Sequence, residues 1–286
     1  MHVKINSITN GNILNYPKFI FMDYFKHKHW RELAMSENLD YDSFDDVLTS
    51  LLDDVIDFEK TGFIKTSDDL YNTDRLKLFL FQIVNSKYDS LKLKYRCSNE
   101  NCMGEFDIDI NLLELKEIKL NKKIDKLWLD DEKKIFFKIP TRGEIREINK
   151  NIIYYKENVL KFIREKRESI EDEEELKLEI KKILDKFYLE SLKENILEIK
   201  IINDIDFDRY TLELVALMGF IGGIEFNTIE YYLDYIYNNN TTIYKKLTKY
   251  IEEYNFGYDN KIKFKCKHCG KNYEEDLPLY TRFFFM

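Results

Sequence analysis

A chain of 286 residues that is 44% hydrophobic and 34% charged, with three prolines and nine glycines, can bury one large core or two modest ones. It is too poor in Pro and Gly for a loop-dominated or collagen-like protein. A formal net charge of −8 disfavours a general nucleic-acid binder, which needs a concentrated positive surface to meet phosphates.

The opening stretch lacks both an uninterrupted apolar core and a small-residue cleavage site, so no secretory leader is expected. No segment is apolar for long enough to span a bilayer, and a reducing cytoplasm fits thiols kept free for metal. Val3 to Ile8 alternates weakly, as a short edge strand does. The aromatic stretch from Phe19 to Leu33 carries His27 and His29, with no carboxylate or cysteine cluster beside them, and both read as surface or packing residues. Phe44, Val47, Leu48, Leu51, Leu52, Val55 and Ile56 then form a helical stripe, with Ser43 as its cap and Asp46 three residues on. Asp45, Asp46, Asp53, Asp54 and Asp57 read as the solvated face of that helix, and Gly62 ends the region. A second helix, capped by Asn72 or Thr73, lines up Leu76, Phe79, Leu80, Ile83 and Val84.

After Ser86 the period changes from helical to alternating. Leu91 to Arg96 reads as a strand that ends at Cys97, and Phe106, Ile108 and Ile110 alternate on the return strand. Cys97 and Cys102 enclose four residues; Cys266 and Cys269, near the other end, enclose two and are followed by Gly270. These are the only four cysteines. Each pair falls at the tip of an expected hairpin, so each offers two thiolates from one tight turn, and tetrahedral zinc takes four of them at about 2.3 Å. The expectation is one structural Zn2+ per chain; two separate reduced pairs, or a redox pair or disulfide, are the alternatives. A redox Cys-x-x-Cys opens a helix in a βαβ setting, whereas this one lies between strands. His268 reads as an exposed knuckle residue, with replacement of a cysteine ligand as the alternative.

Between the knuckles, a small β unit over Lys119–Ile139 turns at Asp130–Asp131, and Thr141 with Glu144 has capping-box spacing. Arg142, between them, is a possible partner contact. Ile145, Ile148, Ile152, Tyr155, Val159 and Phe162 form one helical stripe, and Leu176, Ile180, Ile183, Leu184 and Phe187 form another. The charged run between these stripes suggests an αα-hairpin. An apolar helix from Asp206 to Gly223, and helices starting near Asn227 and Thr242, complete a bundle.

The predicted class is therefore α+β: a split zinc-ribbon-like β module built from two cysteine knuckles, with a long mostly helical insertion and an N-terminal helical region. The expected divisions are 1–90 (arm and helical region), 91–140 (first knuckle and small β unit), 141–258 (insertion) and 259–286 (second knuckle and aromatic tail). Lysines alternating over Lys261–Lys271 read as the solvated face of a strand, with nucleic-acid contact as the alternative. Phe283, Phe284 and Phe285 are costly to leave exposed; they either tuck against the insertion or anchor a partner. No nucleophile–base pair, phosphate-binding glycine loop or histidine–carboxylate cluster is apparent, so an enzyme is not expected.

Several stretches, in this order, resemble the baseplate hub assembly proteins of T4-like contractile-tailed bacteriophages. They are the helix from Asn72 leading into Leu91–Cys97, the strand after Cys102, the link Phe136–Glu144, and the ending Phe264–Gly270 with Leu277–Phe285. The likeness covers residues 70–144 and 262–286, through short motifs whose order is more telling than any one of them. It implies an assembly factor or chaperone that works through protein contacts with hub, tail-tube or tape-measure proteins, with self-association possible. The implied place is the host cytoplasm during assembly, or the virion tail baseplate. Only the cysteines and the aromatic tail carry over residue by residue. The first knuckle departs from the usual Cys-Pro-x-Cys-Gly pattern, because its glycine comes only at Gly104. A permanent baseplate component and a zinc-ribbon nucleic-acid-binding protein using the lysines around Cys266 and Cys269 are the alternative functions.

Overall fold

The structure is a computed structural model. It describes residues 2–36, 39, 41–86, 90–124, 127–130, 135–137, 139, 141–147, 150, 256–259 and 261–276, with isolated positions between 161 and 182 and between 245 and 254. The chain divides into two compact units: Met1–Ile124 together with Tyr254–Met286, and Asp125–Glu253. Among the described residues no helix is long and apolar enough to cross a membrane.

In the first unit, β1 (Val3–Asn6) pairs antiparallel with β2 (Phe19–Met22), placing Ile5 opposite Ile20. Helix α1 (His27–Met35) follows, then α2 (Tyr41–Val55), whose exit runs along β2: the Asp23 amide donates to Val55 O at 2.9 Å and the Asp57 amide to Phe21 O at 2.8 Å. The 3.6-residue period of α2 buries Phe44, Leu48, Leu51, Leu52 and Val55, while α4 (Asn72–Asn85) buries Leu78, Phe79, Leu80 and Ile83.

Both expected helix starts are displaced. Helix α2 is already under way at Tyr41, so Ser43 lies inside its first turn; the apolar stripe marks where the helix becomes buried and not where it begins. The N-cap of α4 is Tyr71, whose phenol makes no capping bond, and Asp74 in the first turn is engaged elsewhere. Its carboxylate accepts from the Ile8 amide at 2.6 Å and from the Tyr16 hydroxyl at 2.8 Å.

The aspartates of α2 and its exit are likewise not one solvated face. Asp45 is buried beside Arg75 (Oδ1–Nη2 3.2 Å), and Asp53 accepts from the Ser67 amide at 2.6 Å. Asp54 lies 2.8 Å from Nε2 of the buried His29, and Asp57 caps α3 (Phe58–Thr61) by accepting from the Lys60 amide at 3.0 Å. His29 is thus a packing histidine. Its Nδ1 accepts from the Lys26 amide at 3.0 Å, so its Nε2 is the nitrogen that donates to Asp54.

Two hairpins complete this unit: β3 (Ser90–Arg96) with β4 (Glu105–Asn111), and β9 (Lys261–Lys265) with β10 (Asn272–Asp276). Their feet are tied by a short antiparallel pair, β5 (Glu117–Ile118) with β8 (Gly257–Tyr258), extended by the Asp259 amide donating to Lys116 O at 2.9 Å. In both hairpins the outgoing strand is basic and the return strand acidic. Lys92, Lys94 and Arg96 face Asp109, Asp107 and Glu105, as Lys261 and Lys263 face Asp276 and Glu274. Lys261 and Lys263 are therefore charge-matched within their own hairpin, with Lys263 Nζ 3.2 Å from Glu274, whereas Lys265 faces Asn272.

In the second unit, β6 (Leu127–Asp130) pairs with β7 (Ile135–Phe137). The expected capping box is present: the Thr141 amide donates to Glu144 Oε2 at 2.9 Å, and the Glu144 amide faces Thr141 Oγ1 at 3.5 Å. Arg142 is buried, which removes it as an exposed partner contact. The helical stripes expected over 145–187 and 206–254 lie largely outside the described residues, and Phe283, Phe284 and Phe285 wholly so.

Candidate metal centre

The alternation of each hairpin puts one aromatic pair next to its knuckle. Tyr95 faces Phe106 across β3 and β4, and Phe264 faces Tyr273 across β9 and β10. These four rings form the core between the hairpins, with centroids 4.7 Å apart for Tyr95–Phe264 and 5.2 Å for Tyr95–Tyr273. Polar bonds add to it: the Tyr95 hydroxyl donates to Glu275 at 2.8 Å and Lys267 Nζ to Asp107 O at 2.6 Å.

The two knuckles are built alike despite their different spacing. The Cys97 amide donates to Gly104 O and the Cys266 amide to Lys271 O, both at 2.9 Å. The residue after each second cysteine takes a left-handed conformation, Met103 at φ 47° and Gly270 at φ 72°. Cys97 thus corresponds to Cys266, Cys102 to Cys269, Tyr95 to Phe264 and Phe106 to Tyr273. The first knuckle differs only by two extra residues in its tip. Contacts between the hairpins obey the same quasi-two-fold relation, because Cys97–Cys269 and its counterpart Cys102–Cys266 measure 3.7 and 3.8 Å between sulfurs.

All four sulfurs lie within 4.8 Å of one another and none is in a disulfide. A tetrahedron with metal–sulfur arms of about 2.3 Å has edges of about 3.8 Å, so the cluster is already close to the size a zinc ion requires. The His268 amide donates to Cys266 Sγ at 3.4 Å, and the amides of Asn99, Gly104 and Lys271, likewise two residues beyond Cys97, Cys102 and Cys269, favour the ionised form of those sulfurs. Two side chains reinforce this, the Tyr273 hydroxyl 3.0 Å from Cys97 Sγ and Asn99 Nδ2 3.7 Å from Cys269 Sγ. Amide donors turned toward sulfur suit thiolates, not thiols.

Ionisation follows from this crowding. The Tyr273 hydrogen bond, with the Asn99 amide and the neighbouring sulfurs, lowers the Cys97 thiol to about 6. The Lys271 amide lowers that of Cys269. The Gly104 amide pulls Cys102 in the same direction, but burial and the other three sulfurs outweigh it and push that thiol up to about 11. Anions packed this closely resist the last ionisation unless a cation joins them, and a soft divalent ion with four thiolate ligands satisfies all four. The four cysteines marked out by their spacing are therefore brought together as one cluster positioned to ligate a metal ion.

His268 is exposed, and its Nε2 lies 3.0 Å from Glu105 O, so its ring bridges the knuckles as a hydrogen-bonding group. Tyr273 and Asn99, which sequence spacing did not single out, complete the surroundings of the sulfurs. The available signal was the register, which sets Phe106 and Tyr273 at the same distance from their knuckles. Between the feet of the hairpins is a groove of about 280 Å³ lined by Ile108, Ile110, Leu115, Lys116, Ile262 and Phe264, among others. Compared with protein-family models, curated proteins and solved structures, the chain matches none of them.

Proposed function

We propose that this protein is a non-enzymatic assembly factor acting through protein–protein contacts, its two hairpins clamped by one structural zinc on Cys97, Cys102, Cys266 and Cys269. The observation that carries the reading is the four-sulfur cluster: an ion with four thiolate ligands has no open position for substrate or water, so it serves structure. Among the described residues the cluster between the hairpins buries Cys97, Phe106, Cys266 and Tyr273, with Tyr95, Cys102, Ile108 and Phe264 partly buried against it, a small core for two two-stranded hairpins. Metal binding adds to it, because the free energy of binding a site absent from the unfolded chain is folding free energy. Function then rests on the surfaces that the clamp keeps in place, including the groove at the hairpin feet; the aromatic tail at 283–285 is a second candidate contact on its sequence alone.

The client class comes from the resemblance: hub, tail-tube or tape-measure proteins of a contractile phage tail. The net charge of −8 and the pairing of Lys261 and Lys263 with Glu274 favour a protein partner over nucleic acid, while Lys265, Lys267 and Lys271 around the second knuckle are the residues the nucleic-acid alternative would use. The test is to recover the protein with its native complex from infected cells and measure intact mass and metal on the same sample. One zinc per chain with hub or tail proteins attached is the expected result. A metal-free protein associated mainly with nucleic acid overturns both the clamp and the assembly role. Cys97→Ser and Cys269→Ser should each lower zinc content and destabilise the fold.

A further inference from the structure

We propose that Tyr273 is a positioning residue of the metal centre, its hydroxyl donating to the Cys97 sulfur and setting the affinity of the site for its metal. The inference rests on the reading of the four cysteines as a metal site. It comes from the one place where the quasi-two-fold relation of the hairpins is broken in chemistry. Tyr273 and Phe106 occupy equivalent positions and are equally buried, each 8% exposed, in one aromatic cluster. Phenylalanine thus satisfies the packing at that position, and the hydroxyl is left to explain.

The hydroxyl lies 3.0 Å from Cys97 Sγ. A metal-bound thiolate has no proton to give, so in the loaded site the tyrosine hydroxyl is the donor. The counterpart of Cys97 is Cys266, and the ring in the equivalent place, Phe106, has nothing to donate. Cys97 therefore has a hydroxyl at 3.0 Å, a side-chain partner for which Cys266, bonded by the His268 amide at 3.4 Å, has no equivalent from Phe106. Four thiolates on a divalent ion carry a net charge of about −2, and donors to sulfur spread that charge and fix the ligand's orientation. Loss of such an outer partner typically costs about 10- to 100-fold in metal affinity.

The experiment uses the full chain loaded with Co2+ and, in parallel, with Zn2+. Tyr273→Phe should weaken Zn2+ binding about 10- to 100-fold in competition with a chelator. It should also shift the thiolate-to-cobalt charge-transfer band, a change that lost packing alone does not produce. Tyr95→Phe is the control for losing a hydroxyl from the same aromatic cluster, since that hydroxyl binds the Glu275 carboxylate and not a sulfur; whatever it costs in stability, the band should stay at its wild-type position. As a measurement independent of any variant, the wild type loaded with cadmium-113 should show the Tyr273 hydroxyl proton coupled to the metal nucleus. A wild-type protein that binds no metal overturns the metal reading itself. A metal-loaded wild type without that coupling, or a Tyr273→Phe protein with unchanged affinity and band, overturns the role of Tyr273 and leaves the four-cysteine site standing.

Discussion

Gly104 lies so close to His268 that a Cβ built on it stands 2.4 Å from the imidazole Cδ2 and 2.8 Å from Cγ. The glycine of the first knuckle is thus needed for space: the histidine of the second knuckle reaches across it to Glu105 O at 3.0 Å. Gly104→Ala should push the ring aside and break that bond. His268 is exposed and its ring can swing out, so the cost should be about 1 kcal/mol, without collapse of the knuckle. Denaturant unfolding of the metal-loaded proteins checks this. Once His268→Ala is in place, adding Gly104→Ala should cost almost nothing, whereas additive losses would mean that Gly104 serves some other contact.

Met103 sits where the second knuckle has Gly270, and both are left-handed, at φ 47° and 72°. A side chain in that conformation costs about 1–2 kcal/mol, while glycine gives back about 0.5–1 kcal/mol through the entropy of the unfolded chain. Met103 is 52% exposed, so little burial is lost on removing its side chain. Met103→Gly should therefore stabilise the metal-loaded protein by up to about 1 kcal/mol, seen as a raised unfolding midpoint. A lowered midpoint would show that the methionine side chain contributes more by contact than its backbone costs.

What could be read without coordinates was what is local. The change from a 3.6-residue to a two-residue period located the hairpin at Cys97, and ligand spacing marked all four cysteines. The likeness of the two knuckles was hidden by the two extra residues in the first, and emerges only when register pairs Tyr95 with Phe106 and Phe264 with Tyr273. Periodicity likewise found the buried stripe of α2 and, in α4, Phe79, Leu80 and Ile83 but not the fully buried Leu78, and it misread the aspartates, because it reports which way a side chain faces and not what a distant segment brings to meet it. Asp45 meets Arg75 and Asp54 meets His29 only after three helices have packed. Strand β2 has four residues and a partner thirteen or more positions earlier, too short and too distant a pairing to give a local signal.

Arg75 is 2% exposed and its charge is met by Asp45 at 3.2 Å and Asp68 at 3.3 Å, with Thr49 Oγ1 accepting at 2.8 Å. Removing one member of a buried pair strands the other, at a cost of about 3–5 kcal/mol, whereas apolar replacement of both is often close to neutral. Arg75→Met should thus cost about 3–5 kcal/mol by removing the buried guanidinium that Asp45 and Asp68 both face. Asp45→Leu should fall at the lower end of that range, because Asp68 still faces the guanidinium. The Arg75→Met/Asp45→Leu pair should cost clearly less than the sum of the singles in urea unfolding. Simple additivity would mean that the two charges do not stabilise each other in the fold.

Asp74 links folding to pH. It is fully buried, and burial raises its carboxyl to about 6 in spite of the hydrogen bonds from the Ile8 amide and the Tyr16 hydroxyl. In an unfolded chain the same group titrates near about 3.9, so the folded protein keeps its proton over a range where the unfolded chain has released it. The stability contributed by protonated Asp74 is therefore fully present below about pH 3.9 and is lost as pH rises through about 6, in total about 3 kcal/mol. Asp74→Asn keeps an oxygen for the Ile8 amide and cannot ionise. Subtracting its stability from that of the wild type cancels every other titrating group and isolates this one. Measured by urea unfolding, that difference should fall by about 2 kcal/mol from about pH 4 to about pH 7, the wild type losing ground as Asp74 ionises. A difference that is flat or rises over this range would show that the two donors hold Asp74 ionised despite its burial.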